Sequence, residues 1–208
     1  QSAGRVVTID AAGNQTGVLA NIGGATGIIG DAATNRLYVS NVVDVFEVTT
    51  GGAVSVFNNQ DADGLSLSGD GSILYMAIPN TGHILGFNTG VGHALVFDSG
   101  FIAGGIDGTA LGSGSLAGNV FVNTNTGTLV EVNLATKAQT VLVTGGSRGD
   151  FVSVDSNNGT LLFTQTDSVL RLTAPAGAGF GDVPEPASLA LLGLGLAGLG
   201  FSRRKRSS

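Results

Sequence analysis

The sequence predicts an all-β protein made of a repeated four-stranded unit, with a short hydrophobic helix at its C-terminus. Glycine accounts for 35 of the 208 residues, yet 42% of the chain is apolar, which is typical of many short strands joined by tight turns. Glutamate, lysine and methionine are scarce, and this argues against a helical body. An aromatic residue also recurs at corresponding positions of four similar segments, Tyr38, Tyr75, Phe121 and Phe163.

The repeated unit is clearest at residues 63–98. Four short apolar segments are separated there by turns rich in Gly, Asn and Asp: Leu65–Ser68, Ile73–Ile78, His83–Asn88 and Ala94–Asp98. The aromatic residue of the second segment recurs at spacings of 37, 46 and 42 residues. In-register copies at such a period are typical of β-propeller blades, each a four-stranded antiparallel sheet. A β-sandwich is the alternative, but sandwiches lack this regular self-similarity.

The copies predict a propeller body over residues 1–173. A half blade at 5–20 matches the third and fourth strands of the unit, and blades follow at about 27–58, 63–98, 107–143 and 149–173. The last copy lacks a clear fourth strand. About four to five blades are therefore present, and two interpretations stay open: an irregularly closed ring, or an incomplete ring without its N-terminal blades. An open ring would expose a strand edge near Val6–Ile9.

The charge of the body excludes one class of function. Residues 1–181 hold thirteen of the fifteen acidic residues but only five of the nine basic ones. A body this acidic repels phosphate backbones, so we expect no nucleic-acid partner. The chain has no cysteine, which excludes disulfide bonds, thiolate metal sites and a thiol nucleophile. It begins at Gln1 without an apolar leader segment, which indicates a removed signal peptide or a fragment.

One segment has the spacing of a calcium loop. Ligand-type side chains stand at positions 1, 3, 5 and 12 of this segment, namely Asn59, Asp61, Asp63 and Asp70. Gly64, at position 6, would permit the turn that folds oxygens around one ion. However, Asp63-Gly64 recurs as Asp107-Gly108 and, reversed, as Gly149-Asp150, and a recurring pair favours a blade-entry turn. Calcium is the only cofactor candidate, and the turn interpretation stands beside it.

The other candidate residues favour structural roles. His83 and His93 are interpreted as ordinary strand-end residues. Arg148-Gly149-Asp150 spells an adhesion tripeptide but lies at the start of a blade, where a turn explains it. No serine stands in a Gly-x-Ser-x-Gly frame, so a hydrolase triad has no support. We therefore predict no catalytic residues, and a non-enzymatic role is favoured over an enzymatic one.

The C-terminal region has three parts behind a Gly/Ala-rich linker at 174–182. They are a motif with two prolines (Val183, Pro184, Glu185 and Pro186), an apolar run (Leu189–Phe201) and a basic cluster (Arg203, Arg204, Lys205 and Arg206). We predict a membrane-spanning helix at about 187–202, with the basic cluster on the cytoplasmic side as the positive-inside rule requires. The run is short for a bilayer and rich in glycine, which indicates a temporary anchor.

Residues 183–208 resemble the PEP-CTERM sorting signal of Gram-negative bacteria that make exopolysaccharide. Pro184-Glu185-Pro186 matches the name-giving motif, Leu189–Phe201 the transmembrane part and Arg203–Arg206 the basic terminus. The resemblance implies export, transient anchoring in the inner membrane, recognition by an exosortase and removal of the tail. Release or transfer to the cell surface or biofilm matrix would follow.

The body resembles, more loosely, propellers of the NHL, gluconolactonase and streptogramin-lyase kind. Their catalytic and metal-binding residues have no residue-by-residue counterparts here, so the resemblance implies a fold and no activity. The first hypothesis is an exported binding module that contacts exopolysaccharide or other surface proteins. The alternative is a secreted lactonase- or lyase-type enzyme, whose metal site would be completed by further blades. An enzyme would need carboxylates converging on the channel at the starts of blades.

Overall fold

The computed structural model describes residues 4–155, 157–173 and 180. It is all-β, with 54% strand and one 3₁₀ turn at Gly114–Leu116 in the described part. The first nine strands are β1 (Arg5–Ile9), β2 (Gln15–Asn21), β3 (Gly27–Asp31), β4 (Arg36–Ser40), β5 (Val45–Thr49), β6 (Val54–Asn58), β7 (Leu65–Leu67), β8 (Ile73–Ile78) and β9 (His83–Asn88). The others are β10 (Leu95–Phe101), β11 (Ile106–Leu111), β12 (Asn119–Thr124), β13 (Leu129–Asn133), β14 (Gln139–Val143), β15 (Val152–Asp155), β16 (Thr160–Gln165) and β17 (Ser168–Thr173).

The strands form a four-bladed propeller arrangement preceded by a hairpin, which confirms the predicted fold class. Blades 1 to 3 are four-stranded antiparallel meanders, β3–β6, β7–β10 and β11–β14, and blade 4 has the three strands β15–β17. The N-terminal hairpin pairs β1 with β2. The first strands of the blades are neighbours in sequence order, β3 beside β7, β7 beside β11 and β11 beside β15. These four are the innermost strands.

Consecutive sheets pack face to face, and the recurring aromatic residues lie between them. Tyr38 packs with residues of blades 1 and 2, including Phe57 and Leu74. Tyr75 does the same between blades 2 and 3, where Val120 and Val122 face it. Burial of such side chains stabilises the fold by about 1.5–3 kcal/mol each, so the stacking of blades supplies the core.

Burial differs between the inner sheets, blades 2 and 3, and the two end sheets, blade 4 and the N-terminal hairpin. Strand β8 is buried on both faces, as is β12, because each has a sheet on either side. In contrast, β16 alternates between buried and half-buried residues, and β1 buries only Val6. Blade 4 and the hairpin are therefore covered on one face by the described residues.

The chain divides into two units, residues 1–173 and 174–208. The predicted linker, the sorting motif, the helix at 187–202 and the basic cluster all lie outside the described residues, apart from Phe180 in the linker. Within the described ranges, no helix has the length and hydrophobicity needed to cross a membrane.

Candidate functional site at the channel mouth

The starts of the innermost strands surround a cavity of about 530 Å³. Three carboxylates line it, each at the entry to a different blade: Asp63 before β7, Asp107 in β11 and Asp150 before β15. Arg148 and the half-exposed Phe151 complete the wall on the side of blade 4. We call this the channel cavity. The carboxylates that the sequence placed at the starts of blades therefore converge on one space.

The close approach of the innermost strands requires glycine beside two of these aspartates. A Cβ atom on Gly64 would lie 2.4 Å from the carbonyl oxygen of Asp107, and one on Gly108 would lie 2.3 Å from that of Asp150. Real Cβ atoms do not approach so closely, so each glycine lets its blade contact the next. In blade 4 the corresponding residue is Phe151, which is 57% exposed. The structure thus aligns Asp150-Phe151 with Asp107-Gly108, whereas the sequence analysis aligned Gly149-Asp150 with it.

Arg148 lies between two of the carboxylates. Its Nε atom is 2.9 Å from Oδ1 of Asp150, and its Nη2 atom is 3.7 Å from Oδ2 of Asp107. The Asp107 side chain is only 8% exposed, whereas Arg148 and Asp150 are mostly exposed. One arginine thus partly neutralises three carboxylates. The two charged residues of the Arg148-Gly149-Asp150 tripeptide therefore form an ion pair with each other.

Burial governs the ionisation of Asp107. It raises the pKa of Asp107 to about 7, with further contributions from the negative charges of Asp63 and Asp150 and an opposing one from Arg148. Burial also raises the pKa of Asp63, and the charges of Asp61 and Asp150 add to this. The cavity therefore holds a carboxyl group that changes its charge near neutral pH.

The raised pKa of Asp107 predicts a loss of stability as pH rises from about 4 to about 7. In that range the folded protein holds a proton that the unfolded chain has released, so the free energy of unfolding falls with pH. Asp107→Asn cannot ionise, and we expect it to be more stable than the wild type by roughly 2–4 kcal/mol at pH 8 and nearly equal at pH 4. Urea unfolding at both pH values measures the difference. Parallel pH profiles would contradict the assignment.

The residues of the predicted calcium loop have different partners. Asp63 lines the channel cavity, whereas Asp61 accepts a hydrogen bond from Asn80 and Asn59 donates one to Asp44. Asp70 lies in the turn between β7 and β8, where hydroxyl groups of Ser68 and Ser72 and a backbone amide lower its pKa to about 2. Calcium binding by this segment stays a prediction.

The gluconolactonase-type resemblance raises the question of a resident metal in the channel. In the described part of the chain, no group of three or more His, Asp or Glu residues is placed to hold an ion. The guanidinium of Arg148 also occupies the space beside Asp107. The described residues of the channel cavity therefore do not fit a resident metal.

The two histidines contact neighbouring residues of blades 1 and 2. His83 Nδ1 lies 2.7 Å from Oδ1 of Asp98, a carboxylate partner that the sequence analysis did not foresee. His93 packs against Phe57 of blade 1, with ring centroids 4.2 Å apart and the ring planes tilted by 48°. Neither residue lines the channel cavity.

A comparison with known protein families identifies the motif in the C-terminal region. The family model for the PEP-CTERM protein-sorting motif matches residues 182–205. The chain carries this sorting motif. The match agrees with the proline motif, apolar run and basic cluster recognised in the sequence, and it implies an exported protein that an exosortase processes at the membrane. A comparison with curated proteins gives no match.

The body of the chain is similar to solved β-propellers. Hydrazine synthase of Kuenenia stuttgartiensis aligns with a TM-score of 0.60 at 12% identity, over 72% of this chain and 46% of that one. A luciferin-regenerating enzyme aligns with a TM-score of 0.59 at 14% identity, over 79% of this chain and 68% of that one. A chain of the nidogen/laminin complex aligns with a TM-score of 0.62 at 12% identity, over 81% of this chain and 73% of that one. The chain thus spans about half of the first neighbour, and these likenesses show the fold alone.

Two residues of the channel cavity were not proposed as functional from the sequence. Arg148 was assigned to a turn tripeptide, and Phe151 carried no motif. A signal was nonetheless present, because Asp63, Asp107 and Asp150 each stand just before or within the first strand of a blade. Strand ends that meet at one end of a propeller channel bring such residues together.

Proposed function

We propose that the propeller is a binding module of this exported, exosortase-processed protein and that the channel cavity is its ligand site. The observation that carries the proposal is the convergence of three carboxylates and one arginine, from successive blades, on one cavity. The function belongs to the body, whereas the sorting motif determines where the body is delivered. After processing, the module would act at the cell surface or in the extracellular matrix.

The chemistry of the cavity favours a neutral or cationic polysaccharide. Carboxylate and guanidinium groups form strong, charge-assisted hydrogen bonds with hydroxyl groups, and the exposed ring of Phe151 offers an apolar surface on which a sugar ring can lie. Three carboxylates against one arginine disfavour a polyanion. We therefore expect neutral and amino-sugar chains to bind and uronic-acid chains to be excluded.

Isothermal titration calorimetry with three oligosaccharides tests this proposal. The probes are a neutral glucose hexamer, a glucosamine hexamer and a galacturonate hexamer, each added to the purified 208-residue chain. We expect the first two to bind and the third not to bind. Phe151→Ala and Asp107→Asn should each weaken binding by roughly tenfold, the cost of about one lost ring or charged hydrogen-bond contact.

Phe101→Ala provides the matched control. Phe101 is 67% exposed, lies on β10 and does not line the channel cavity. Its replacement removes a ring of similar exposure and should leave binding unchanged. Tighter binding of the galacturonate hexamer, or equal effects of Phe101→Ala and Phe151→Ala, would contradict the proposal.

A secreted enzyme is the second candidate, and one observation favours it. A carboxyl group with a pKa of about 7, such as Asp107, is suited to general acid–base catalysis at neutral pH. The candidate requires turnover of a sugar lactone or of a glycan, which proton-release and reducing-end assays detect. Activity in the wild type that Asp107→Asn abolishes, with ligand binding retained, would favour the enzyme over the binding module.

A further inference from the structure

Asp107 is the most buried charged residue that lines the channel cavity, and its carboxyl group lacks a close partner. Its side chain is only 8% exposed. Among the described residues its ion-pair partner is Arg148, whose Nη2 atom lies 3.7 Å from Oδ2 of Asp107. This separation is beyond hydrogen-bond distance, and a buried carboxyl group without a hydrogen bond is costly. Asp107 can therefore accept a donor that the folded chain does not supply.

The charges around Asp107 favour the entry of a cation. Asp63 and Asp150 are the other carboxylates of the cavity, and Arg148 is the single basic residue among those described as lining it. Strands β7, β8, β12 and β15 pack against β11, and their only charged residue is Asp155, at the far end of β15. Burial and the negative charges of Asp63 and Asp150 raise the pKa of Asp107 to about 7. Below that pH an arriving cation would meet a protonated Asp107 and could displace its proton.

Arg148 can leave Asp107 without losing its other partner. Its Nε atom is 2.9 Å from Oδ1 of Asp150, the shorter of its two contacts with carboxylates. Its side chain is 63% exposed and belongs to the connection between β14 and β15. Because its contact with Asp107 is long and its side chain is mostly exposed to solvent, a ligand can replace Arg148 beside Asp107 while Arg148 stays paired with Asp150.

We propose that Asp107 is the ammonium-binding group of the channel cavity and that an amino group of an amino-sugar chain replaces Arg148 as its partner. This inference rests on the proposed function, since it requires that the cavity binds a polysaccharide. The ammonium group keeps its three protons, Asp107 releases one proton to the solvent, and the two groups form a charge-assisted ion pair. A sugar hydroxyl group carries no charge, so a neutral chain binds while Asp107 stays protonated.

Proton release on binding tests this assignment. The glucosamine hexamer is titrated into the full 208-residue chain at pH 6, by calorimetry in buffers of different ionisation enthalpy, and the dependence of the observed enthalpy on the buffer gives the number of protons exchanged. We expect the wild type to release roughly 0.5–0.9 of a proton more than Asp107→Asn, because a group with a pKa of about 7 is mostly protonated at pH 6. The comparison with Asp107→Asn also cancels any proton that the sugar amines themselves take up.

Two controls accompany this measurement. Asp167→Asn removes a carboxylate from the turn before β17, away from the residues that line the cavity, and should release as many protons as the wild type. The glucose hexamer should release no proton from the wild type. Carbon-13 NMR of the Asp107 carboxyl group gives a second readout that needs no binding by the variant. At pH 6 the glucosamine hexamer should shift this resonance from its protonated to its ionised position.

The possible outcomes separate this inference from the proposed function. If the glucosamine hexamer binds without proton release and without a shift of the Asp107 resonance, Asp107 does not bind the ammonium group, and the proposed function still stands. The same conclusion follows if only the glucose hexamer binds. If neither hexamer binds the wild type, the proposed function and this inference are both overturned.

Discussion

Replacing Gly108 with alanine is expected to lower the free energy of unfolding by about 2–3 kcal/mol. The added Cβ would lie 2.3 Å from the carbonyl oxygen of Asp150 and 2.7 Å from the Cα atom of Phe151. Both are backbone atoms, so no side chain can rotate away, and the innermost strands of blades 3 and 4 must separate. Chemical denaturation followed by circular dichroism measures the loss.

Gly69→Ala is the matched control for this prediction. Gly69 lies in a turn, its backbone lies outside the left-handed region, and a Cβ there would have no heavy atom within 4 Å. We expect this variant to be as stable as the wild type or slightly more stable, because alanine restricts the unfolded chain. If both variants lost the same stability, close packing of innermost strands would not be the reason for glycine at position 108.

Replacing Pro184, Glu185 and Pro186 together with alanine is expected to abolish processing of the exported protein. Proline disfavours helical backbone at the residue before it, and the substitution removes this effect from the motif that the family model matches. Without processing, the apolar run and basic cluster stay attached and retain the protein in the inner membrane. Fractionation of the native host and mass spectrometry of the secreted material measure the outcome, which should change from full release to none.

Pro175→Ala is the control for the sorting motif. It makes the same kind of change in the predicted linker, outside the matched residues 182–205, and should leave processing intact. The processed wild-type protein should lack Arg203–Arg206. Secreted wild-type material that still contained this cluster would refute exosortase processing.

Local periodicity was sufficient to predict the propeller. Tyr38, Tyr75, Phe121 and Phe163 each lie on the second strand of a blade, where they are buried between sheets. This position can be predicted from the sequence because every blade needs a large apolar side chain that packs against the next blade. The arrangement of the ends was not predictable. The one-sided burial of β1 and β16 depends on which sheets are neighbours in space.

The candidate site was predicted only in part. Asp63, Asp107 and Asp150 could be placed at the entries to blades, and convergence on the channel was the stated condition for an enzyme. Their ionisation could not be predicted, because it depends on how deeply Asp107 is buried and on the distance to Arg148. The calcium-loop spacing joined residues that are near in sequence but have separate hydrogen-bond partners, such as Asn80 for Asp61.

The one-sided covering of blade 4 has a consequence for the dynamics of the channel cavity. In a stack of repeats each sheet is held by its neighbours, so a sheet with one neighbour unfolds locally at a lower free energy than one with two. Asp63 and Asp107 stand on blades with two neighbours, whereas Asp150 and Phe151 lead into blade 4. The wall of the cavity that blades 2 and 3 form is therefore the more stable one, and the wall that blade 4 forms unfolds locally first. A molecule that bridges both walls raises the local stability of blade 4, and occupancy of the cavity can be followed as slower amide exchange in β15–β17.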